Sequence, residues 1–339
     1  MDTRRSPLPL QLDASHASVP VNAEVHSDDW LILLRPELAH LMRQGSLPPL
    51  QSLQGPRPDM REVRELTLAN ADGGPMAARL YLPHDALAPQ PVVVYCHGGG
   101  WARGDLAMYD QPCRAIAAAS HSAVLSVDYR LAPAHRFPAA VHDCYAATVF
   151  AAAHAEGWGC DPVRLVVAGD SAGGNLAAAV CVLARDCGGP GIARQVLLYP
   201  PLDARMRAPS YQRFARGPLL DAKALRENLA SYIGAGTDLD DPLLSPLGAH
   251  ALCGLPPATV IVAEVDALRD DGVLYVERLR EAGVAADLVQ VDGVPHMALH
   301  MGGVSSACAG IVRHMALAIR STKELPLPLG RGSKQPHRT

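Results

Sequence analysis

Short apolar runs alternate with amphipathic stretches along this chain from about residue 60 onward. The apolar runs predict eight strands, at residues 62–69, 76–82, 91–96, 123–128, 163–168, 195–199, 258–263 and 286–291. Helical patterns separate the later strands, at about residues 107–119, 138–155, 172–186, 270–282 and 303–320. Strand and helix in alternation are typical of a mostly parallel sheet with helices on both faces. The sequence therefore predicts an α/β fold built on one eight-stranded sheet.

The first two strands are connected differently from the later ones. Residues 70–74 read Asn-Ala-Asp-Gly-Gly, and such a group between two apolar runs is a hairpin signal. We therefore expect these two strands to be antiparallel. Later strands, such as residues 92–95, are continuous apolar runs, which indicates burial on both faces of the sheet.

Two terminal segments flank a main domain that we place at residues 56–320. Residues 1–55 form an N-terminal segment whose first 20 or so residues have no apolar period and are expected to be mobile. A helical pattern follows, which Pro36 should break. Residues 321–339 combine Pro, Gly, Lys and Arg without an apolar period, and we expect a disordered tail.

The segment between the sixth and seventh strands is unusually long. It covers residues 202–257, whereas most connections in compact domains have fewer than a dozen residues. A helical pattern lies near residues 221–233. Long insertions of this kind usually carry function at the surface of the domain. We therefore predict that this insertion is a lid or cap.

Composition narrows the class of protein. The chain has 339 residues, of which 49% are hydrophobic, enough for a large buried core. A net charge of −4 argues against nucleic acid as a partner, since phosphate binding needs a basic face. No stretch reads as a secretory signal or approaches the ~20 apolar residues that span a bilayer. We expect a cytoplasmic protein without a membrane span, and the sequence leaves a homodimer open.

The eight cysteines do not suggest a disulfide framework or a metal centre. They contain no Cys-x-x-Cys pair, and a chain of this length does not need disulfides to be stable. We interpret them as mostly reduced.

The strongest chemical signal is Gly169-Asp170-Ser171-Ala172-Gly173. It lies between a predicted strand and a predicted helix and matches Gly-x-Ser-x-Gly, in which small residues let the chain turn sharply and expose a serine above the sheet. This pattern makes Ser171 the candidate nucleophile. The alternative is a small-residue helix start that Ser171 merely caps.

A second glycine-rich stretch, His97-Gly98-Gly99-Gly100-Trp101, directly follows the third predicted strand. Consecutive glycines there allow backbone N–H groups to point into a cavity, as an oxyanion hole requires. We assign the N–H groups of Gly98, Gly99 and Ala172 as donors to a developing oxyanion. The alternatives are a flexible turn or a phosphate loop, although the lysine of the phosphate-loop motif is absent.

A serine nucleophile needs a histidine to accept its proton. His296 directly follows the last predicted strand, which is where this topology places the base. We interpret His300 and His314, in or near the final helix, as structural. The pair His296 and His300 also has a zinc-ligand spacing, but Met297 stands where the His-Glu-x-x-His motif has glutamate.

The carboxylate that orients this histidine should follow the seventh strand. Four acidic residues are candidates there: Glu264, Asp266, Asp270 and Asp271. Glu264 belongs to the end of the strand, and Asp270 and Asp271 precede an amphipathic helix that either of them could cap. Asp266 lies between them in the loop, from which it can reach the loop after strand eight.

Together, these motifs resemble the hormone-sensitive-lipase-like family of α/β-hydrolases, also called bacterial esterase family IV. The matching stretches occur in order between about residues 60 and 320: His-Gly-Gly-Gly-Trp at 97–101, Val-Asp-Tyr-Arg-Leu-Ala-Pro at 127–133, Phe-Pro-Ala-Ala at 137–140, Gly-Asp-Ser-Ala-Gly-Gly-Asn at 169–175 and Asp-Ala-Leu-Arg-Asp-Asp-Gly at 266–272.

The resemblance implies an α/β-hydrolase fold and a serine carboxylesterase without a cofactor. We expect its substrates to be small acyl esters of short to medium chain length, because a cap over the serine should limit pocket depth. We expect no metal, because the sequence has no metal-ligand motif. The resemblance also implies the triad Ser171, Asp266 and His296, and a cap made by the N-terminal segment and residues 202–257. The family usually has Gly-Phe after the histidine, where this chain has Met297-Ala298.

Two other functions are compatible with the same motifs. An amidase or carbamate hydrolase would use the same triad. A small-ligand receptor of the gibberellin-receptor kind would share the scaffold but lack the histidine. Because His296 is present with the other parts, the sequence favours an enzyme.

Overall fold

The computed structural model describes residues 29–44, 47–85 and 89–324. The predicted mobility of the first 20 residues therefore lies outside the described residues, as does most of the predicted tail. Within the described part of that tail, Ser321–Glu324 forms a short 3₁₀ helix that continues from the last α-helix.

The predicted sheet is present, with all eight strands at the expected places. In the order β1-β2-β4-β3-β5-β6-β7-β8, neighbouring strands are hydrogen-bonded. The pairs β1/β2 and β2/β4 are antiparallel and all other pairs are parallel. The strands are β1 Glu62–Ala69, β2 Pro75–Leu82, β3 Gln90–Cys96, β4 Ala123–Val127, β5 Cys160–Asp170, β6 Arg194–Leu198, β7 Ala258–Val265 and β8 Ala286–Pro295.

Helices occupy the predicted crossovers, with ends that differ from the prediction by at most three residues. The α-helices of the described residues are α1 Pro36–Arg43, α2 Leu50–Leu53, α3 Asp110–Ser120, α4 Ala139–His154, α5 Ala172–Cys187, α6 Ser210–Arg213, α7 Ala222–Tyr232, α8 Arg269–Glu281 and α9 Ser306–Arg320. None of the helices in these residues is long and apolar enough to cross a membrane.

The hairpin between β1 and β2 is confirmed. Ala69 pairs with Pro75 at its end, and Asn70 closes the turn because its Oδ1 accepts hydrogen bonds from Asp72 N and Gly74 N, both at 2.9 Å. A short polar side chain that bonds backbone two and four residues ahead is typical of such a turn.

The sheet is buried on both faces, as its continuous apolar strands predict. Along β3, Val92, Val94 and Cys96 pack into a core with helices α4, α5 and α8. The alternate residues Val93 and Tyr95 pack into a second core with helices α1, α3 and α9. This alternation of side chains along a strand is the geometry of a three-layer α/β sandwich.

The two segments predicted as a cap are ordered where they are described. In the N-terminal segment, a 3₁₀ helix at Asp29–Ile32 ends before α1, and Pro36 is the first residue of α1, a position where the missing N–H costs nothing. In the 202–257 insertion, Asp221 is the N-cap of α7, and its side chain accepts a hydrogen bond from Ala224 N at 2.7 Å.

Candidate active site

Ser171 lies on a tight turn between β5 and α5. Its backbone has φ 52° and ψ −124°, a conformation that costs energy for any residue with a Cβ. The flanking glycines make the turn feasible, since a Cβ on Gly169 would lie 2.3 Å from Gly173 O and one on Gly173 would lie 2.0 Å from Cys96 O. Ser171 makes no side-chain capping bond to α5, so its interpretation as a helix cap is wrong.

Ser171, His296 and Asp266 form a continuous hydrogen-bonded chain. His296 Nε2 lies 2.9 Å from Ser171 Oγ, and His296 Nδ1 lies 2.7 Å from Asp266 Oδ2. The second oxygen of Asp266 accepts a hydrogen bond from Leu268 N at 2.9 Å. Since a carboxylate only accepts, Nδ1 carries the imidazole proton and Nε2 is free to accept one from the serine.

The topology explains why these three side chains meet. Ser171 follows β5, Asp266 follows β7, and His296 follows β8, and these strands are parallel in the sheet. The carboxyl ends of parallel strands lie on the same edge, so residues far apart in sequence converge there. His296 and Asp266 are buried, which shields their hydrogen bond from water.

The zinc alternative is not supported by the surroundings of the two histidines. Both ring nitrogens of His296 already have partners. His300 is buried, which lowers its pKa, and its Nδ1 lies 3.0 Å from Gln54 Nε2. Among the residues that the structure describes, no group of three His, Cys, Asp or Glu side chains is arranged to hold a metal ion.

The competing carboxylates after β7 have other partners. Glu264 Oε2 accepts a hydrogen bond from Gly293 N at 2.7 Å, in the strand end that leads to His296. Asp270 pairs with Arg269. The expectation that Asp270 or Asp271 caps the following helix is wrong, because α8 begins at Arg269 and both carboxylates therefore lie inside its first turn.

Asp271 connects α8 to the 202–257 insertion. Its Oδ2 accepts hydrogen bonds from Leu202 N at 2.8 Å, Asp203 N at 3.1 Å and Tyr211 OH at 2.7 Å, and its Oδ1 has no partner among the described residues. Burial raises the pKa of Asp271 to about 7. The side chain fixes the start of the insertion but is an unfavourable site for a full charge.

We expect Asp271→Asn to change the pH dependence of stability. The pKa of Asp271 is higher in the folded protein than in the unfolded chain, so its contribution to stability is full at low pH and is lost as pH rises through about 7. An asparagine can keep its oxygen toward the three donors and carries no charge. Melting temperatures of the two proteins from pH 5 to pH 8 should show the wild type losing several degrees relative to the variant. Parallel curves would contradict this expectation.

In the loop after β3, one of the N–H groups that we assign to the oxyanion hole already has an acceptor. The N–H of Gly98 donates to Asp170 Oδ1 at 3.0 Å and is therefore already used. A Cβ at Gly98 would lie 2.5 Å from Asp170 Oδ2, so glycine is needed here for packing. The N–H groups of Gly99 and Gly100 make no hydrogen bond to another described residue, and Ala172 is the first residue of α5, where N–H groups lack a helical acceptor.

Asp170 is the buried anchor of this loop. Besides Gly98 N, it accepts hydrogen bonds from Tyr95 OH at 2.9 Å and Tyr109 OH at 3.0 Å. Three donors satisfy a carboxylate that would otherwise be costly to bury. Because Asp170 precedes Ser171, one residue ties the serine turn to the glycine loop.

Two residues lie beside His296, of which Met297 was singled out from the sequence and Tyr199 was not. The ring of Tyr199 packs against the His296 ring at a centroid distance of 4.5 Å. Tyr199 directly follows β6, between the strands that carry Ser171 and Asp266, so the strand order could have placed it here. Met297 has φ 64°, which explains why a glycine is usual at this position in the similar family.

An apolar pocket lies beside the glycine loop and beneath α7. Trp101 forms one wall and stacks flat on Tyr232, with ring centroids 4.6 Å apart and an angle of 1° between planes. Most of the side chains around the pocket are apolar, and the full set is Trp101, Pro201, Asp203, Ala204, Met206, Tyr211, Leu225, Leu229 and Leu244. The 202–257 insertion supplies seven of these nine residues, so it shapes the pocket.

Comparison with known proteins gives concordant matches. The family described as "alpha/beta hydrolase fold" matches residues 93–300. The chain is 39% identical to the esterase LipI of Mycobacterium tuberculosis over 298 residues, which cover 86% of this chain and 89% of that protein. It is 41% identical to the carboxylesterase NlhH of the same species over 256 residues, which cover 74% of this chain and 80% of that protein.

Solved structures agree with these relatives. A hyperthermophilic esterase from the archaeon Pyrobaculum calidifontis superimposes with a TM-score of 0.78 and 35% identity, over 86% of this chain and 99% of that one. A bacterial heroin esterase superimposes with a TM-score of 0.79 and 33% identity, over 86% and 98% of the two chains. The chain belongs to the hormone-sensitive-lipase-like family of α/β-hydrolase-fold enzymes, a family of carboxylic ester hydrolases.

Proposed function

We propose that this chain hydrolyses short- to medium-chain acyl esters, with Ser171 as nucleophile, His296 as general base and Asp266 as the residue that orients His296. The hydrogen-bonded chain from Ser171 Oγ to Asp266 Oδ2, at 2.9 and 2.7 Å, carries the proposal. The three side chains are joined in the order, and at the hydrogen-bond distances, that activation of a serine nucleophile requires.

In the acylation step, Ser171 Oγ attacks the carbonyl carbon of the ester while its proton passes to His296 Nε2. Asp266 stabilises the resulting imidazolium through the hydrogen bond to Nδ1. The tetrahedral intermediate then collapses, the bond to the alcohol oxygen breaks, and His296 returns the proton to the leaving alcohol. The product of this step is an acyl group bound to Ser171.

Deacylation repeats the sequence with water in place of the alcohol. His296 Nε2 takes a proton from water, which attacks the acyl carbonyl carbon. A second tetrahedral intermediate forms and collapses, the acid leaves, and Ser171 Oγ regains its proton from His296. None of these steps is an oxidation or a reduction, so the proposed reaction needs no redox cofactor.

The negative charge on both intermediates needs preorganised donors. We propose the N–H groups of Gly99, Gly100 and Ala172, with Gly100 replacing Gly98 of the sequence-based assignment. The reason is that Gly98 N–H already donates to Asp170. Gly99 and Gly100 both have positive φ, at 128° and 63°, which glycine adopts without strain.

We propose that the acyl chain occupies the apolar pocket beneath α7, so that residues 202–257 and the N-terminal segment act as the cap. Tyr232 of α7 stacks on Trp101 of the glycine loop, which ties the insertion to that loop and supports a cap that limits pocket depth. Among p-nitrophenyl esters from acetate to palmitate, kcat/KM should be highest for short to medium chains. Palmitate as the best substrate would contradict this cap.

A substitution in the pocket tests the expected preference for short to medium acyl chains more directly. Leu229 lines the pocket from α7, so Leu229→Ala should raise the ratio of kcat/KM for palmitate to that for butyrate by about 10-fold, the lower end of the discrimination that one methylene of space in an apolar pocket provides. Arg226→Ala is the matched control, because Arg226 is on the same helix and exposed. Equal ratios in both variants would place the acyl chain elsewhere.

The natural substrate that we propose is a small-molecule ester. A cytoplasmic location stays a prediction from the sequence. A homodimer also stays open, and light scattering of the purified full chain would determine the oligomeric state.

A further inference from the structure

The N-terminal segment is bonded directly to the part of the chain that carries His296. Arg35 N donates to Gly293 O at 2.8 Å, and Arg35 Nε donates to Asp292 O at 3.1 Å. On the other side of His296, Gly303 N donates to Leu53 O at 2.9 Å. The contacts are therefore made both before and after His296 in the sequence.

A further contact joins Gln54, which follows Leu53, to His300, which lies between His296 and Gly303 in the sequence. Gln54 Nε2 lies 3.0 Å from His300 Nδ1 and 3.3 Å from Met108 O. A carbonyl oxygen only accepts, so the amide must turn its NH₂ group to this side, and its second proton then points to His300 Nδ1. Gln54 thus requires His300 Nδ1 to be an acceptor, which is the neutral imidazole with its proton on Nε2.

The surroundings of His300 favour the same neutral form. The side chain is 1% exposed, and burial lowers its pKa even though the carboxylate of Asp170 opposes this effect. Its ring and the ring of Tyr109 are nearly perpendicular, with centroids 4.9 Å apart. His300 is therefore a fixed, uncharged side chain in a tightly packed position.

His300 is also close to His296 along the chain. It belongs to the 3₁₀ helix Ala298–Met301, and its N–H donates to Met297 O at 3.0 Å. This short helix starts directly after Met297, whose φ of 64° makes the turn strained for a residue with a Cβ. A strained turn persists only where its neighbours hold it, and the Gln54 contact is such a restraint.

We propose that Gln54 is a positioning residue for the general base: by holding His300, it fixes the turn after His296 and keeps His296 Nε2 in line with Ser171 Oγ. Gln54 itself does not touch the reacting atoms. The N-terminal segment would thus act on the chemical step and not solely as a cover for the substrate. This inference rests on the proposed role of His296.

The contact predicts a change in kcat with little change in KM. Gln54→Met keeps the length of the side chain but removes both donors, and we expect kcat to fall by about 10-fold, as for a small misplacement of a reacting group. His300→Leu should have a similar effect. The double variant should lose no more than either single variant, because residues that act through one contact are not additive.

Two controls separate positioning from general stability. His300→Asn places an amide oxygen where Nδ1 accepts from Gln54, so its kcat should stay within about threefold of the wild type. Gln51→Met is the matched control on α2, since Gln51 is exposed and makes no side-chain bond to the described residues. Melting temperatures are measured for every variant, and kcat is measured well below them.

The outcomes are distinguishable. Unchanged kcat in Gln54→Met and His300→Leu, or a loss confined to KM, would overturn the positioning role, as would an equal loss in His300→Asn and His300→Leu. If the wild type itself does not hydrolyse acyl esters, the proposed function fails and not this contact alone.

Discussion

Ser171→Ala should abolish nearly all ester hydrolysis, by about 10⁶-fold in kcat, as in other enzymes in which a triad acts as a unit. Ser171 Oγ is the atom that His296 Nε2 faces at 2.9 Å, and no covalent acyl-enzyme can form without it. Initial rates with p-nitrophenyl butyrate, at enzyme concentrations high enough to detect the residual rate, measure the effect.

The same variant should fold normally. The strain at Ser171 comes from its backbone conformation, which alanine shares, and its Oγ makes no capping bond to α5. An unchanged melting temperature together with lost activity is therefore the expected pair of results. Turnover within about tenfold of the wild type would remove Ser171 from the mechanism, since the oxyanion donors alone leave far less.

Asp266→Asn should lower kcat by about 10⁴-fold, because it reverses the tautomer of His296. The Asp266 carboxylate accepts the Nδ1 proton at 2.7 Å. An asparagine that keeps its oxygen on Leu268 N would point its NH₂ group at Nδ1. The imidazole proton would then move to Nε2, which would face Ser171 as a donor and could not accept its proton.

The neighbouring carboxylates provide the controls. Glu264→Gln can still accept the hydrogen bond from Gly293 N, and Asp270→Asn removes an ion pair with Arg269 but no contact to His296. We expect both to keep kcat within about tenfold of the wild type, the scale of indirect effects on positioning. If Asp266→Asn retains more activity than either control, the acid has been misassigned.

Local patterns were sufficient to predict most of the fold. Continuous apolar runs placed β3 to β7 because a strand buried on both faces must be apolar at nearly every position. The asparagine and glycines after β1 predicted the hairpin because only a few residue types suit its turn. The chain order Ser171, Asp266, His296 followed from the strand order of the sheet.

Contacts between distant residues were not predictable in the same way. Gly98 was assigned as an oxyanion donor because the sequence does not show that the carboxylate of Asp170, 72 residues later, accepts its N–H. Asp271 was interpreted as a helix cap, although its partners are Leu202 and Asp203. Gln54 and His300 are 246 residues apart. A tertiary contact of this kind has no local signature, so only the packed structure reveals it.

Labelling with an alkyl phosphonate ester bearing a p-nitrophenol leaving group tests the role of Ser171 as nucleophile most directly. Phosphonates of this kind react with an activated serine and stay attached, in the position of the tetrahedral intermediate. We expect one adduct per chain, found by mass spectrometry on the peptide that contains Ser171, with loss of ester hydrolysis in proportion to labelling. An adduct on a different serine, or full activity after stoichiometric labelling of Ser171, would contradict this role.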